Sequence, residues 1–221
     1  ANPQTLFPLN YAVNGELAGV GQPQDGFYTG IISRDSTESF EFDLQYDFSN
    51  PGEYVLEVWT EMMGDSSSVN DTFTITLYNI DPPLYEDFEA GVVPDYFEAT
   101  PNSFVAPMGD HGAPSSVLAT GFQGNDGSFR LDFPGLGPIA LDDTLYFDYR
   151  YVDFFNPDFG AFLNVTDSLK VLASADCGET YDLIYAISGS THEPSTDMAT
   201  VAVPLEDYEG LEVKIRMETS T

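Results

Sequence analysis

Residues 211–218, Leu-Glu-Val-Lys-Ile-Arg-Met-Glu, alternate apolar and charged side chains without interruption. Successive side chains of a β-strand point to opposite faces, so a period of two predicts a strand with one buried and one solvated side. The apolar side chains share one face: Leu211, Val213, Ile215 and Met217. The stretch therefore indicates a sheet that covers a core on one side only.

The same period recurs along the chain and predicts strands in both of its parts. They fall in residues 39–48, 54–62, 72–80, 143–152 and 200–205, with two more around a turn at 176–178. In residues 39–48, one face would carry Phe40, Phe42, Leu44, Tyr46 and Phe48. Stretches rich in Gly, Pro and Ser predict long loops at 99–128 and 188–198. We therefore predict an all-β protein of two sandwiches joined near residue 82.

The charge of the chain is strongly one-sided, with 37 Asp and Glu against 6 Lys and Arg and a net charge of −31. Such a surface repels phosphate backbones, which excludes nucleic acid as a partner, and it disfavours anionic membrane surfaces. No apolar run reaches the roughly 18 residues of a membrane helix, so no membrane insertion is expected. Cys177 is the single cysteine, which rules out a disulfide framework and a cysteine-based metal site.

Residues for nucleophilic catalysis are scarce. The two histidines, His111 and His192, lie in predicted loops, and no nucleophile motif surrounds Ser115 and Ser116. Carboxylate pairs carry no signal for glycoside hydrolysis in a chain with 37 acidic residues. We therefore expect a protein that is not an enzyme. Trp59 could offer a platform for a sugar, but its place within a strand pattern favours packing in the core or at a sheet edge.

Three oxygen-rich stretches suggest calcium, a hard cation that binds carboxylate and carbonyl oxygens. They are Tyr-Glu-Asp-Phe-Glu at 85–89, Gly-Asn-Asp-Gly-Ser at 124–128 and Leu-Asp-Asp at 141–143. The second of them contributes Asp126 as a candidate metal ligand. No EF-hand spacing is present, and solvation by water explains most of these carboxylates.

Two prolines at 82–83 separate the first set of strands from the second. Residues 84–91 then predict the first strand of the second domain. Its period of two places Asp87 and Glu89 on one face and Glu86 on the other. We expect Asp87 and Glu89 to be the metal ligands of this stretch and Glu86 to be solvated.

Residues 1–82 resemble the CARDB-like immunoglobulin-type modules of secreted bacterial proteins. The matching motifs are Tyr-Ala-Val-Asn-Gly at 11–15, Pro-Gly-Glu-Tyr at 51–54 and Asn-Asp-Thr at 70–72. The resemblance implies an Ig-like β-sandwich. Because such modules have one or two strands before the first motif, we expect this domain to be incomplete at its N-terminus.

Residues 83–221 resemble the cleaved-adhesin or choice-of-anchor J domain, a MAM-like jelly roll common in surface proteins of Bacteroidetes. The matching motifs are Phe-Glu-Ala-Gly at 88–91 and Ser-Ala-Asp-Cys-Gly-Glu-Thr-Tyr-Asp at 174–182. The resemblance implies a jelly-roll β-sandwich that binds calcium through acidic residues of its first strand, here Glu89 and Asp87. The family has a further strand at the end, so we expect a missing last strand and open sheet edges.

Together the resemblances imply an extracellular or cell-surface protein exported by type IX secretion. The leading hypothesis is a non-catalytic, calcium-stabilised adhesion or structural module of a bacterial surface or secreted protein. One alternative is an accessory carbohydrate-binding module of a secreted hydrolase, which an exposed row of aromatic residues would favour. Another is a structural repeat of a surface filament. The expected partners are accordingly glycans, host or cell-surface proteins, or neighbouring repeats and chains that pair with open sheet edges.

A ligand would bind at loop ends of the sandwiches, in residues 99–128 and 153–164. The second of these loops contains four phenylalanines: Phe154, Phe155, Phe159 and Phe162. We expect these rings to form a buried loop core rather than a ligand-binding patch.

Overall fold

The computed structural model describes residues 4–17, 27–33, 36–61, 69, 71–101, 103–106, 117–120, 129–153, 156 and 158–220. The chain divides into two compact units, Ala1–Tyr78 and Asn79–Thr221. The described residues form strands, turns and a 3₁₀ turn at Glu206–Tyr208 but no α-helix, so the protein is all-β, as the sequence predicts. Nowhere in these ranges is there a helix with the length and apolarity to cross a membrane.

The first unit is built around its first strand. The strands are β1 (Gln4–Val13), β2 (Glu16–Leu17), β3 (Phe27–Ile32), β4 (Gly52–Thr60) and β5 (Thr72–Ile80). β1 pairs antiparallel with β2, β3 and β4. Asn14 and Gly15 join β1 to β2 with φ angles of 53° and 76°. Two positive φ angles are what a type I′ hairpin turn requires, which explains the Asn-Gly pair at this point.

The core of the first unit is small and largely aromatic. Tyr11, Val13 and Tyr54 are buried, and Phe42 and Phe48 pack against them. The rings of Phe48 and Tyr54 meet edge to face, with centroids 5.2 Å apart. This arrangement suits aromatic quadrupoles and anchors the segment before β4 on the sheet.

The strand predicted over residues 39–48 is wrong, because these residues form no strand. Phe42 and Phe48 point towards the core as the alternation predicts, but Leu44 is exposed. The hydroxyl of Tyr11 donates a hydrogen bond to the carbonyl of Leu44 at 2.6 Å. Side chains therefore hold this segment on the unit, in place of a ladder of backbone hydrogen bonds.

The second unit contains two packed sheets and a separate strand pair. Its strands are β6 (Glu98–Ala99), β7 (Ser103–Ala106), β8 (Val117–Thr120), β9 (Arg130–Leu136), β10 (Thr144–Tyr149), β11 (Ser168–Ser174), β12 (Asp182–Ser188), β13 (Ala199–Pro204) and β14 (Val213–Ser220). One sheet has the order β12-β11-β14-β9 and is antiparallel, with β6 along β9. Asn79 and Ile80, which end β5 and belong to the second unit, pair with β9 in parallel. β10 pairs with β13, and β7 pairs with β8.

The core of the second unit lies between these two sheets. Val171, Val213 and Ile215 are fully buried, and Leu145 and Phe147 of β10 pack against this cluster. Complete burial of a side chain of this size contributes about 1.5–3 kcal/mol. The inward face predicted for residues 211–218 is therefore confirmed for Val213, Ile215 and Met217, whereas Leu211 lies before β14 and is exposed.

Two other predicted elements are wrong. Residues 84–91 form no strand, and Phe88 has a φ angle of 57°, which a strand does not allow. The predicted loop at 99–128 contains the strands β7 and β8. Each has four residues, which is too short for alternation to stand out in a stretch rich in Gly, Pro and Ser.

Candidate functional site

A short hairpin follows β10 at one end of the sandwich of the second unit. Val152 and Gly160 form an antiparallel bridge, and the N–H of Ala161 donates to the carbonyl of Tyr151 at 3.0 Å. The loop after β12 packs directly against this hairpin, since a Cβ on Gly160 would lie 2.5 Å from the backbone nitrogen of Ser195. Glycine at position 160 therefore permits the close approach of the two loops.

The side chain of His192 links the hairpin to the loop after β12. It is 8% exposed, and its Nε2 lies 2.9 Å from the carbonyl oxygen of Ala161. A carbonyl oxygen only accepts, so Nε2 donates to Ala161, and Nδ1 lies 3.3 Å from the hydroxyl oxygen of Tyr149. The ring also meets that of Tyr151 edge to face, with centroids 5.9 Å apart. Both imidazole nitrogens thus serve to hold the hairpin in place.

The two tyrosines beside His192 are kept in their neutral form. Burial raises the pKa of Tyr149 above its usual value, and burial followed by the charges of Asp167 and Asp153 raises the pKa of Tyr151. Neutral phenols pack in an apolar interior and still donate hydrogen bonds. The rings of Tyr149, Tyr151 and His192 therefore pack together at the base of the hairpin.

Two phenylalanines in and after the hairpin project into solvent. Phe159 is 63% exposed and Phe162 is 80% exposed, and Val165, three residues further along the chain, is also exposed. We call Phe159, Phe162 and Val165 the aromatic end of the second unit. The next turn is fixed by the carboxylate of Asp167, which accepts from the backbone and side-chain nitrogens of Asn164 at 3.3 and 2.9 Å.

The prediction of a buried loop core is wrong for Phe159 and Phe162, because the space beneath the hairpin is already occupied by Tyr149, Tyr151 and His192. Phe154 and Phe155 lie outside the described residues. The sequence could not reveal this arrangement, since the three residues that fill the space come from two separate segments of the chain.

Two of the three predicted metal ligands, Asp87 and Glu89, lie among the described residues. Asp87 is half-buried, and one of its carboxylate oxygens accepts from the N–H of Glu89 at 3.0 Å. Glu89 is exposed, and Asp126 lies outside the described residues. In the part of the chain that the structure describes, no three His, Cys, Asp or Glu side chains are grouped to hold a metal. Calcium binding by Asp87, Glu89 and Asp126 stays a prediction.

The carboxylate of Glu86 accepts hydrogen bonds from other groups of the protein, so the prediction that it is solvated is wrong. It accepts from the N–H of Phe88 at 2.6 Å and from the hydroxyl of Tyr96 at 2.8 Å. Burial, followed by the hydrogen bond to Glu86, raises the pKa of Tyr96 to about 12. Because residues 84–91 do not form a strand, the period of two does not decide which carboxylate faces water.

The turn predicted at 176–178 is confirmed and is organised by one carboxylate. Asp176 accepts from the hydroxyl of Ser174 at 2.6 Å and from the hydroxyl and N–H of Thr180. These hydrogen bonds lower the pKa of Asp176 to about 2. The carboxylate therefore stabilises the connection from β11 to β12, which leaves it little capacity for catalysis.

The remaining residues considered in the sequence analysis are Trp59, His111, Ser115 and Ser116. Trp59 is half-buried in β4, and its indole N–H donates to Glu61 at 3.2 Å, which agrees with packing at the sheet. His111, Ser115 and Ser116 lie outside the described residues.

Comparison with known protein families finds no match for this chain, and comparison with curated proteins finds none either. Among solved structures, the chain is similar to one described as the structural basis for the promiscuous specificity of carbohydrate-binding modules from the β-sandwich superfamily. The alignment covers 100% of this chain and 80% of that one, with 14% sequence identity and a TM-score of 0.40.

Proposed function

We propose that this chain is a non-catalytic, glycan-binding module of an extracellular or cell-surface bacterial protein, and that it binds through the aromatic end. The observation that carries the proposal is the exposure of Phe159 and Phe162 on a hairpin held by buried hydrogen bonds. Exposed aromatic rings favour the carbohydrate-binding alternative over a purely structural repeat. Adhesion to glycans is the corresponding biological role.

The chemistry of the aromatic end suits the apolar faces of sugar rings. The C–H groups on one face of a pyranose can cover a phenyl ring and remove both from water, which is favourable. Burial of one Phe side chain contributes about 1.5–3 kcal/mol, so two rings supply at most about 6 kcal/mol before the cost of association. A single module should therefore bind with a Kd in roughly the millimolar to high-micromolar range. Several modules side by side would gain avidity.

The hairpin beneath the rings is suited to a binding role because it is already ordered. His192 ties it to the loop after β12 through Ala161, and Gly160 allows the two loops to touch. A site that is ordered before binding loses less conformational freedom when the ligand arrives. The same hydrogen bonds support the non-catalytic part of the proposal, since they occupy both nitrogens of His192.

The proposal is tested with the double variant Phe159→Ala/Phe162→Ala. The matched control is Phe73→Ala, which removes an equally exposed ring, also 63% exposed, from β5. Labelled wild-type protein is first applied to a glycan array, and the affinity for the strongest glycan is then measured by calorimetry. We expect the double variant to weaken binding at least about 10-fold, because the apolar contact is lost.

The melting temperature of both variants should stay close to that of the wild type, since exposed rings contribute little to the core. Absence of any glycan binding by the wild-type protein would overturn the proposal. An equal loss of affinity in Phe73→Ala would overturn the location of the site.

A further inference from the structure

The few basic residues of this acidic chain are concentrated on one surface. Four of the six lie in β9, β11 and β14 of the second unit: Arg130, Lys170, Lys214 and Arg216. On β11 and β14 they alternate with fully buried residues such as Val171 and Ile215, so they lie on the outer face of the sheet. We call these four residues the basic face.

The register of the sheet places the basic face in three adjacent rows. Arg130, Glu218 and Lys170 form the first row, and Asp132, Arg216 and Leu172 form the second. Lys214 lies in the third row, opposite Ser174. Rows on one face of a sheet are about 7 Å apart, so the four cations lie within a surface that one short oligosaccharide can span.

The centre of the basic face is held by side-chain contacts. Asp132 is 6% exposed and accepts from Nε of Arg130 at 2.5 Å and from Nε of Arg216 at 2.6 Å. The guanidinium of Arg216 also lies 3.9 Å from the centre of the Tyr181 ring. Among the described residues, the two terminal nitrogens of Arg216 have no hydrogen-bond partner. The guanidinium is thus oriented by Asp132 and Tyr181 and retains donors for a ligand.

The local charge favours a single anionic group over a polyanion. The four cations face three carboxylates on neighbouring strand positions, those of Asp132, Glu218 and Glu98, which leaves a net charge of +1. The rest of the chain is acidic, with a net charge of −31 overall, and it repels a polymer of high charge density. Apolar side chains next to the cations, Leu172 and the exposed Leu183 opposite it, can pack on a sugar ring.

We propose that the basic face is a second glycan subsite, which binds the carboxylate or sulfate group of an acidic saccharide through Arg216 and Arg130. This inference rests on the proposed glycan-binding function and deepens it by naming the class of sugar. Planar oxyanions accept paired hydrogen bonds from a guanidinium, which makes arginine the suitable residue. Lys170 and Lys214 contribute their charge from the rows on either side.

The test compares a singly charged acidic saccharide with its neutral ester. A galactose trisaccharide that ends in one galacturonic acid, its methyl ester and a galactose trisaccharide with one sulfate group are titrated into the full chain by calorimetry. A triglutamate peptide is titrated in parallel. We expect the trisaccharide acid to bind at least about 10-fold more tightly than its ester, because the ester cannot accept the paired hydrogen bonds of an ionised carboxylate. The sulfated sugar shows whether the subsite selects carboxylate or sulfate.

Substitutions of single basic residues test whether the acidic saccharide binds at the basic face. Arg216→Gln should weaken binding of the acid at least about 10-fold, and Lys214→Gln, which breaks no hydrogen bond of the fold, by about threefold. Arg150→Gln removes the same charge away from the basic face and should change the affinity less than about twofold. Melting curves of each variant separate lost binding from lost folding, and Lys214→Gln decides the outcome if Arg216→Gln unfolds.

Three results would overturn the subsite: equal affinity for the acid and the ester, equal affinity for triglutamate, or an equal loss in Arg150→Gln. Binding of neutral glycans that depends on Phe159 and Phe162 but not on Arg216 would refute the subsite and leave the proposed function intact. Binding of the acid that is lost in Arg216→Gln, with no effect of Phe159→Ala/Phe162→Ala, would support the subsite and refute the aromatic end.

Discussion

Neighbouring carboxylates of this chain have different surroundings, although their positions in the sequence look equivalent. Glu86 accepts hydrogen bonds from Phe88 and Tyr96, whereas Asp87 accepts from the N–H of Glu89 in the next turn. The first links residues that are 10 positions apart, and the second closes a local turn. A carboxylate that joins two segments contributes to tertiary stability, so Glu86 should matter more to folding than Asp87.

Glu86→Ala should destabilise the second unit by about 1–3 kcal/mol, because two half-buried donors lose their acceptor. It should also lower the pKa of Tyr96 from about 12 towards its ordinary value of 10.0. The raised pKa means that this stabilisation is complete below about pH 10 and is lost as the pH rises through about 12. Chemical denaturation and an alkaline titration of the tyrosines, with Tyr96→Phe to identify the signal, measure both effects.

Asp87→Ala is the control for Glu86→Ala, since it removes the adjacent carboxylate and leaves the bond to Tyr96. It should keep the late titration of Tyr96. If Tyr96 titrates at the same pH in Glu86→Ala as in the wild type, the structural role of Glu86 is refuted.

At the scale of elements, the hairpin of β11 and β12 contrasts with residues 39–48. The two strands are joined by a turn of seven residues, 175–181, in which Asp176 accepts hydrogen bonds from Thr180 and from Ser174 at the end of β11. Local closure of this kind costs little chain entropy and can be recognised in the sequence. Residues 39–48 also alternate and are followed by Asn-Pro-Gly at 50–52, yet they form no strand.

Asp176→Ala should lower the melting temperature at neutral pH, because the turn loses its central acceptor. The pKa of Asp176 is lowered from 3.8 to about 2, so its contribution is present above about pH 4 and is lost as the pH falls through about 2. The difference in melting temperature between the wild type and the variant should therefore decrease as the pH is lowered through this range. Asp142→Ala, at an exposed turn, is the control for lost charge. A gap that stays constant down to pH 2 would contradict the prediction.

At the scale of the whole molecule, we propose that bound calcium joins distant parts of the sequence. Asp87 and Glu89 precede Asp126 by more than 35 positions, and a cation bound by all three would join their segments. Calcium at 100 times its Kd would stabilise the folded chain by about 2.7 kcal/mol. EDTA should therefore lower the melting temperature by several degrees, and excess calcium should restore it.

Asp87→Asn, Glu89→Gln and Asp126→Asn should each reduce this calcium-dependent shift, because hard cations bind ionised carboxylates. Asp81→Asn, which changes an exposed carboxylate near the same stretch, should retain it. An identical melting temperature with calcium and with EDTA would refute the predicted calcium site.

The sequence by itself determined the all-β class, the buried face of β14 and the turn at Asp176. These features depend on side-chain order within a few residues, where the period of two and the preferences of turn residues act. Only the tertiary structure decided that residues 39–48 lack a partner strand, that Glu86 binds Tyr96 and that Phe159 and Phe162 face water. It also decided that Arg130 and Arg216 meet at Asp132. Each of these depends on which distant segments come together, and alternation along one segment carries no information about its neighbours.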